Sequence, residues 1–200
     1  MYSSYLKRFL DIIGSLLVLP FVIIEIIIIA PFIWMCDKGP VFYNAFRAGK
    51  DYKPFKMFKL RTMYVDSPNL ENPDGSTFNS DNDYRVTPIG RILRKTSLDE
   101  FPQFLNILIG DMSFVGPRPK IYKEGRLISE TDENIIKSFS VKPGITGYAQ
   151  AYYRNSITQK EKFKWDAYYA DHVSFWMDVK IICQTVVSVI ARKNINTEHS

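Results

Sequence analysis

Two hundred residues, 46% of them apolar and 24% charged, make one globular unit of ordinary composition with a formal net charge of +5. Two cysteines without metal-ligand spacing and two histidines, His172 and His199, exclude a histidine-rich metal centre and a Ser–His–Asp triad, and suit a reduced, cytoplasm-facing protein. The mild basic excess suits phosphates or anionic lipid, and with no basic run in the chain it speaks against a nucleic-acid binder.

Lys7 and Arg8 precede "IIGSLLVLPFVIIEIIIIAPFIWMC", Ile12–Cys36, which is almost wholly apolar. At about 1.5 Å per residue this run is long enough to cross a bilayer. It continues straight into "MCDKGPVF" with no small-residue cleavage site, so a signal peptide is not the expectation. Three features oppose a plain span: Pro20 mid-segment, Pro31 further on, and Glu25 near the centre, where an ionised carboxylate is expensive. Both flanks are basic, with Lys7 and Arg8 before the segment and Lys38, Arg47, Lys50 and Lys53 after it. Basic residues resist leaving the cytoplasmic side. A helix that enters, bends at Pro20 and leaves by the same face satisfies both flanks, so the expectation is a re-entrant hairpin.

After Gly39–Pro40, aromatic and basic residues alternate in "VFYNAFRAGKDYKPFKMFKLRTM" on either side of a Gly/Pro-rich turn, which predicts a β-hairpin. Residues 66–83 hold almost nothing apolar and predict a surface loop. Helices are expected over 88–95, 99–109, 121–138 and 157–171, with the turn-rich "GDMSFVGPRP" and an irregular loop at 141–150 between them. The stretch from Phe175 to Ala191 is apolar but carries Asp178, Lys180 and Gln184. That is too interrupted for a span and predicts an amphipathic helix on the core or the membrane surface.

Ser97-Leu98-Asp99-Glu100 has two readings. As S-x-x-E it is a capping box, with Ser97 and Glu100 satisfying orphan backbone donors. Pro102 would then stand fifth in the helix, where an N–H is needed and proline has none. A start at Asp99 puts Pro102 third, where the missing donor costs nothing. That start frees Glu100 and sets Asp99 at a helix mouth. Arg85, Arg91, Arg94 and Lys95 approach the same mouth, and guanidinium groups with backbone N–H groups make a phosphate site. A carboxylate there can attack phosphorus, and a neighbouring one can hold Mg²⁺ together with substrate phosphates. A membrane-anchored binding protein would keep Arg118 and the hairpin but have no use for Asp99 as a nucleophile.

The blocks "KRFLD", "GPVFYNAFRAG", "KPFKMFKLRTM", "TPIGRILRKTSLDEFPQFLNILIGDMSFVGPRP", "VKPGITGYAQ" and "RNSITQKEKFKWDAYY" resemble the bacterial sugar transferases of the small monotopic phosphoglycosyl transferase kind, nearly end to end. The resemblance implies an α+β, mostly helical fold. Residues 1–38 would form a re-entrant membrane helix-break-helix. Residues 39–200 would form a single cytoplasmic catalytic domain with a small β-hairpin and interfacial amphipathic helices, on the inner face of the cytoplasmic membrane. It implies transfer of a sugar-1-phosphate from a UDP-sugar to polyprenol (undecaprenyl) phosphate, releasing UMP. The polyprenyl-diphosphate sugar so formed would initiate bacterial glycan assembly and pass to downstream glycosyltransferases. The phosphosugar would be held covalently on Asp99, with Glu100 assisting through Mg²⁺ or the lipid phosphate's proton, so that both carboxylates are catalytic and metal-binding positions. Arg94 falls on the family's phosphate-binding arginine and Pro117-Arg118-Pro119 on its nucleotide-contact loop. Arg154 and Asp166 match further polar positions near the substrates. One departure stands out. The family bends its re-entrant helix at a Ser-Pro pair, whereas this chain has Leu19-Pro20, about one turn before Ile23-Ile24 at the expected place.

Overall fold

The structure, a computed structural model, describes residues 2–191 apart from 69, 71–77, 79, 81, 126–131 and 155. It is mostly helical with two small sheets. A π-helical turn, Tyr2–Leu6, leads into α1 (Lys7–Asp37), which ends where Lys38 turns left-handed (φ 55°) and returns its N–H to the Trp34 carbonyl. By length and composition α1 could cross a bilayer. Pro20 and Pro31 lie inside it. Without N–H groups they leave the Leu16 and Ile27 carbonyls unserved, yet the helix continues through both positions. The break expected at Pro20 therefore does not interrupt the helix. Pro20 is exposed, and an outward-facing proline removes a hydrogen bond without ending the element.

One stripe of α1 faces the rest of the chain. Asp11, Ser15, Val22 and Ile33 are buried at helical spacings, and Ile26 and Ile29 pack with Ile33 against Leu60 and Leu93. Gly14 allows close approach: a Cβ there would stand 2.7 Å from the Phe114 ring. The opposite face leaves Phe9, Leu17, Phe21, Ile24, Ile28 and Met35 exposed.

Both ends of α1 are tied to the body of the protein. At the start, Arg8 donates to the carbonyls of Ile107 (2.5 Å) and Leu108 (2.8 Å). Asp11 accepts from Ser113 Oγ (3.1 Å) and the Phe114 N–H (3.0 Å), and Lys7 pairs with Asp178 at 2.5 Å. At the end, Asp37 takes both terminal nitrogens of Arg61 at 2.5 and 2.7 Å.

The expected hairpin forms. β1 (Ala45–Ala48) and β2 (Pro54–Met57) pair antiparallel with Arg47 opposite Phe55, and β4 (Lys120–Ile121) joins the other edge with Ile121 opposite Arg47. α2 (Pro88–Thr96) and α3 (Gln103–Ile109) follow the hairpin, and β3 (Ser113–Val115) pairs in parallel with β5 (Gly144–Thr146). That pairing is tight: a Cβ on Gly144 would meet the Gly116 nitrogen at 2.2 Å. α5 (Tyr148–Tyr152), α6 (Gln159–Asp171) and α7 (Phe175–Ile190) complete the body, with α6 opened by a Thr158–Glu161 capping box. Val115, Ala151, Tyr169 and Ile181 bury the junction of β3, α5, α6 and α7. α7 leaves Trp176, Val186 and Val187 exposed.

Two expectations are corrected. The helix expected over 121–138 is only α4 (Glu133–Ser138) among the described residues, because Ile121 is drawn into the sheet by β1. The irregular loop expected over 141–150 holds β5 and the start of α5. Most of the 66–83 loop lies outside the described residues, but its end is not a solvated surface: Asp83 is buried.

Candidate active site

Thr87 caps α2 by accepting from the Gly90 N–H, with Pro88 at the first helical position. Ser97, left-handed at φ 60°, closes α2 by donating its N–H to the Leu93 and Arg94 carbonyls. Its hydroxyl makes no cap, and Glu100 turns toward Arg118, so the capping box is excluded. Leu98–Glu100 then tighten into a 3₁₀ turn, and α3 begins at Gln103 instead of Asp99. The N–H groups of Glu100, Phe101, Phe104 and Leu105 are spent in these turns. Side chains, not a helix mouth, therefore supply the positive charge around the dyad.

Asp99 is 2% exposed. Lys59 Nζ lies 2.7 Å from its Oδ2 and 3.6 Å from Glu100 Oε1, and Arg118 Nη2 lies 2.7 Å from the same Glu100 oxygen. The backbone holds this geometry: the Leu60 N–H donates to the Asp99 carbonyl at 3.0 Å. The buried Asn106 of α3 accepts from the Phe58 N–H and donates to the Lys56 carbonyl, both at 2.8 Å. The segment after β2 is thus lashed to both α3 and the dyad. Burial alone would push the Glu100 carboxyl up, but the charges of Arg118 and Lys59 outweigh it and hold it down to about 2. The Arg118 side chain is half exposed, so its pairing with Glu100 contributes at most about 1 kcal/mol to stability. It remains free to turn toward a ligand.

Arg94 donates from Nε to Thr62 Oγ1 at 3.0 Å, and its half-buried guanidinium feels the charge of Asp99. Arg85 departs from expectation. It is 3% exposed, grips Asp83 at 2.6–2.9 Å and donates to the Pro68 carbonyl, so it braces the loop instead of serving a phosphate. Arg91 and Lys95 are exposed. Pro117 and Arg118 line a recess with Gly49, Lys120, Phe139 and Pro143, and Pro119 carries the chain from that recess into β4. Asp166, 3% exposed, stands 3.6 Å from Lys120, whose charge opposes the upward push of burial on the carboxyl. Asp166 thus reaches the Arg118 loop through Lys120. Arg154 lies beyond α5 in the left-handed region at φ 51°, and the cations that engage Asp99 and Glu100 are Lys59 and Arg118.

Sequence reasoning missed Lys59 and Arg47. Lys59 read only as one basic residue of an alternating strand, and the alternation itself was the signal that it shares a face. Arg47 is half-buried on the central strand with its Nε unpartnered, and it feels both Arg118 and Glu100. The dyad fits Mg²⁺ by donor chemistry. Two adjacent carboxylates offer oxygen ligands, and this ion takes the remainder from phosphates and water. Among the described residues no group of three or more His, Cys, Asp or Glu gathers into a fuller metal cage.

The family pattern of bacterial sugar transferases matches residues 2–192. The chain belongs to the bacterial sugar transferase family. It is 38% identical to the uncharacterised sugar transferase EpsL of Bacillus subtilis, over 97% of this chain and 92% of that one. It is 39% identical to a UDP-glucose:undecaprenyl-phosphate glucose-1-phosphate transferase of Klebsiella pneumoniae, over 94% of this chain and 41% of that one. It is 33% identical to a UDP-N-acetylgalactosamine-undecaprenyl-phosphate N-acetylgalactosaminephosphotransferase of Aeromonas hydrophila, over 94% of this chain and 44% of that one. The chain therefore spans less than half the length of these last two relatives.

Proposed function

We propose that this sugar transferase moves a sugar-1-phosphate from a UDP-sugar to undecaprenyl phosphate in two displacements. The observation that carries the reading is a buried Asp99 held by Lys59 at 2.7 Å, with Arg118 at 2.7 Å from the neighbouring Glu100. Asp99 attacks the phosphorus that bears the sugar, the bond to UMP breaks, and UMP leaves. The acceptor phosphate then attacks the Asp99-bound phosphosugar and returns the carboxylate. Lys59 and Arg94 stabilise charge on the transferred phosphoryl group, and the Pro117-Arg118-Pro119 loop contacts the nucleotide. Asp99 and Glu100 would hold Mg²⁺, which when bound neutralises phosphate charge.

The membrane reading belongs to the same proposal. α1 dips into the cytoplasmic leaflet and returns. Its two tied ends support this, since Lys7, Arg8 and Asp11 at one end and Asp37 at the other bind one body. A helix crossing the bilayer would carry one of those ends away from it. The exposed apolar face of α1 and that of α7 then meet lipid.

The test is intact-mass measurement after incubation with UDP-glucose, UDP-galactose or UDP-N-acetylgalactosamine alone. One donor yields a phosphosugar adduct with stoichiometric UMP in the parent protein, and Asp99→Asn yields none. An adduct persisting in Asp99→Asn overturns the nucleophile assignment.

A further inference from the structure

Two cations from distant parts of the chain close on one point at the far end of α3. Gly110 ends that helix in the left-handed region, at φ 110°. A Cβ built on it would stand 3.3 Å from Arg8 Nη2 and 3.6 Å from Lys142 Nζ. Because glycine has no side chain, the space between the two cations stays open, and one small anion standing over Gly110 can touch both. The niche is preformed. Arg8 is fixed by its bonds to the Ile107 and Leu108 carbonyls, and the turn that carries Lys142 is fixed where the Ser113 N–H donates to the Pro143 carbonyl at 2.9 Å. The dyad precedes α3 and the niche follows it, so the two sites lie at opposite ends of that helix.

Neither cation has a counter-ion among the described residues. Arg8 spends two of its five donors on backbone carbonyls, and Lys142 makes no ion pair. Two carboxylates lie near enough to be felt, but both are otherwise engaged. Asp11 accepts from Ser113 and Phe114, and Asp111 faces the Asn106 amide at 3.4 Å. Burial first, and then Arg8 and Lys50, hold the Lys142 ammonium below its ordinary value, against Asp11 and Asp111. Half-buried like charges brought together without an anion between them are unfavourable, so the arrangement calls for one. A guanidinium fork beside an ammonium suits phosphate oxygens. The surroundings say what the phosphate is attached to. Phe9 and Ile109, the sequence neighbours of Arg8 and Gly110, are exposed apolar side chains, and Arg8 belongs to the helix long and apolar enough to cross a bilayer.

We infer that Arg8 and Lys142, closing over Gly110, bind the headgroup phosphate of an anionic phospholipid at a site separate from the dyad. This rests on α1 meeting lipid and not on the two-displacement chemistry. The phosphate takes the free guanidinium donors of Arg8 and the ammonium of Lys142, while the acyl chains lie along exposed apolar side chains such as Phe9 and Ile109. The bound lipid ties the start of α1 to the turn before β5 through an anion that neither element supplies.

Phosphatidylglycerol, diacylglycerol and inorganic phosphate are each titrated into the full chain in nonionic detergent micelles, with affinity read from the rise of Tm with concentration. Phosphatidylglycerol is expected to bind at least ~10-fold more tightly than diacylglycerol, which lacks the phosphate, or inorganic phosphate, which lacks the chains. Lys142→Gln should weaken phosphatidylglycerol by at least ~10-fold, beyond the roughly fivefold that one lysine near an anionic surface is worth through charge alone. Lys160→Gln makes the same charge change at an exposed position of α6 and should stay within about twofold of the parent. Equal losses in the two variants, or none in Lys142→Gln, overturn the inference. So does diacylglycerol binding as well as phosphatidylglycerol, and inorganic phosphate binding as well overturns the lipid as its source. Flotation separates the underlying reading: a parent protein that fails to float with phosphatidylcholine vesicles overturns the membrane reading of α1. One that floats but does not respond to phosphatidylglycerol overturns this inference alone.

Discussion

Replacing Asp37 by Asn should destabilise the protein by about 3 kcal/mol. Asp37 accepts four hydrogen bonds: from Arg61 at 2.5 and 2.7 Å, from the Val65 N–H at 2.9 Å and from the Gly39 N–H at 3.1 Å. The Arg61 side chain is 7% exposed and that of Asp37 17%, so the pair is largely out of water. Removing one partner of such a pair costs about 3–5 kcal/mol, mostly because the other charge stays buried. Arg61 keeps its contacts with the Pro40 and Met63 carbonyls, and the amide that replaces the carboxylate retains an acceptor oxygen, which sets the loss at the lower end. For a chain of 200 residues, unfolding entropy near 2.1 cal/mol/K per residue converts about 3 kcal/mol into a fall in Tm of roughly 7 °C. Trp165, stacked at 5.2 Å on both Tyr148 and Tyr153, reports unfolding by fluorescence in detergent micelles. The folded state holds Asp37 far below the usual carboxylate range, first through Arg61, against the opposing effect of burial, and then through the Val65 and Gly39 N–H groups. The stabilisation is therefore present above the unfolded value near 4 and is lost as pH falls below it, so the gap between parent and variant narrows in acid. A Tm drop under about 2 °C at pH 7, or a gap that stays constant in acid, refutes the reasoning.

Lys59→Met should lower kcat for UMP release by about 10²-fold, since it removes the cation nearest Asp99; an unchanged kcat rejects that role. Arg118→Ala should raise the KM for the UDP-sugar more than it lowers kcat, because nucleotide contacts are mostly uniform binding, whereas Arg94→Ala should depress kcat. Steady-state kinetics with the reverse pattern would exchange the two assignments. In a cysteine-free background, Ser3→Cys should resist an impermeant thiol reagent in intact cells and react after lysis, and labelling from outside would defeat the re-entrant topology.

Much of this architecture is legible in the sequence because local chemistry decides it. The length and apolarity of Ile12–Cys36 force α1, and alternation around "AGKDYKP" forces the hairpin. Pro102 correctly told against a capping box from Ser97, but the onset of α3 moved to Gln103, since the chain can answer a missing donor with a 3₁₀ turn. What escaped depends on partners distant in sequence. Lys120–Ile121 become strand only because β1 offers an edge, and Gly144–Thr146 only because Gly116 lets β5 come close. Arg85 resembled its neighbours Arg91 and Arg94 as a phosphate ligand, and only the fold shows that Asp83, two residues away, already claims it.

Three consecutive residues join α1 to the Asp99–Glu100 dyad. Lys59 grips Asp99 and Glu100. Leu60, fully buried, packs with Ile33 of α1 and Leu93 of α2 while its N–H holds the Asp99 carbonyl. Arg61 clasps Asp37 at the end of α1. A strand-like segment turns successive side chains to opposite faces, so Leu60 reaches Ile33 of α1 while Lys59 beside it reaches the dyad. Close packing around Leu60 leaves no slack between them. A shift of the second half of α1 relative to the body must therefore move Lys59 against Asp99. The position of the second half of α1 and the electrostatics of the dyad are set together, through Lys59, Leu60 and Arg61.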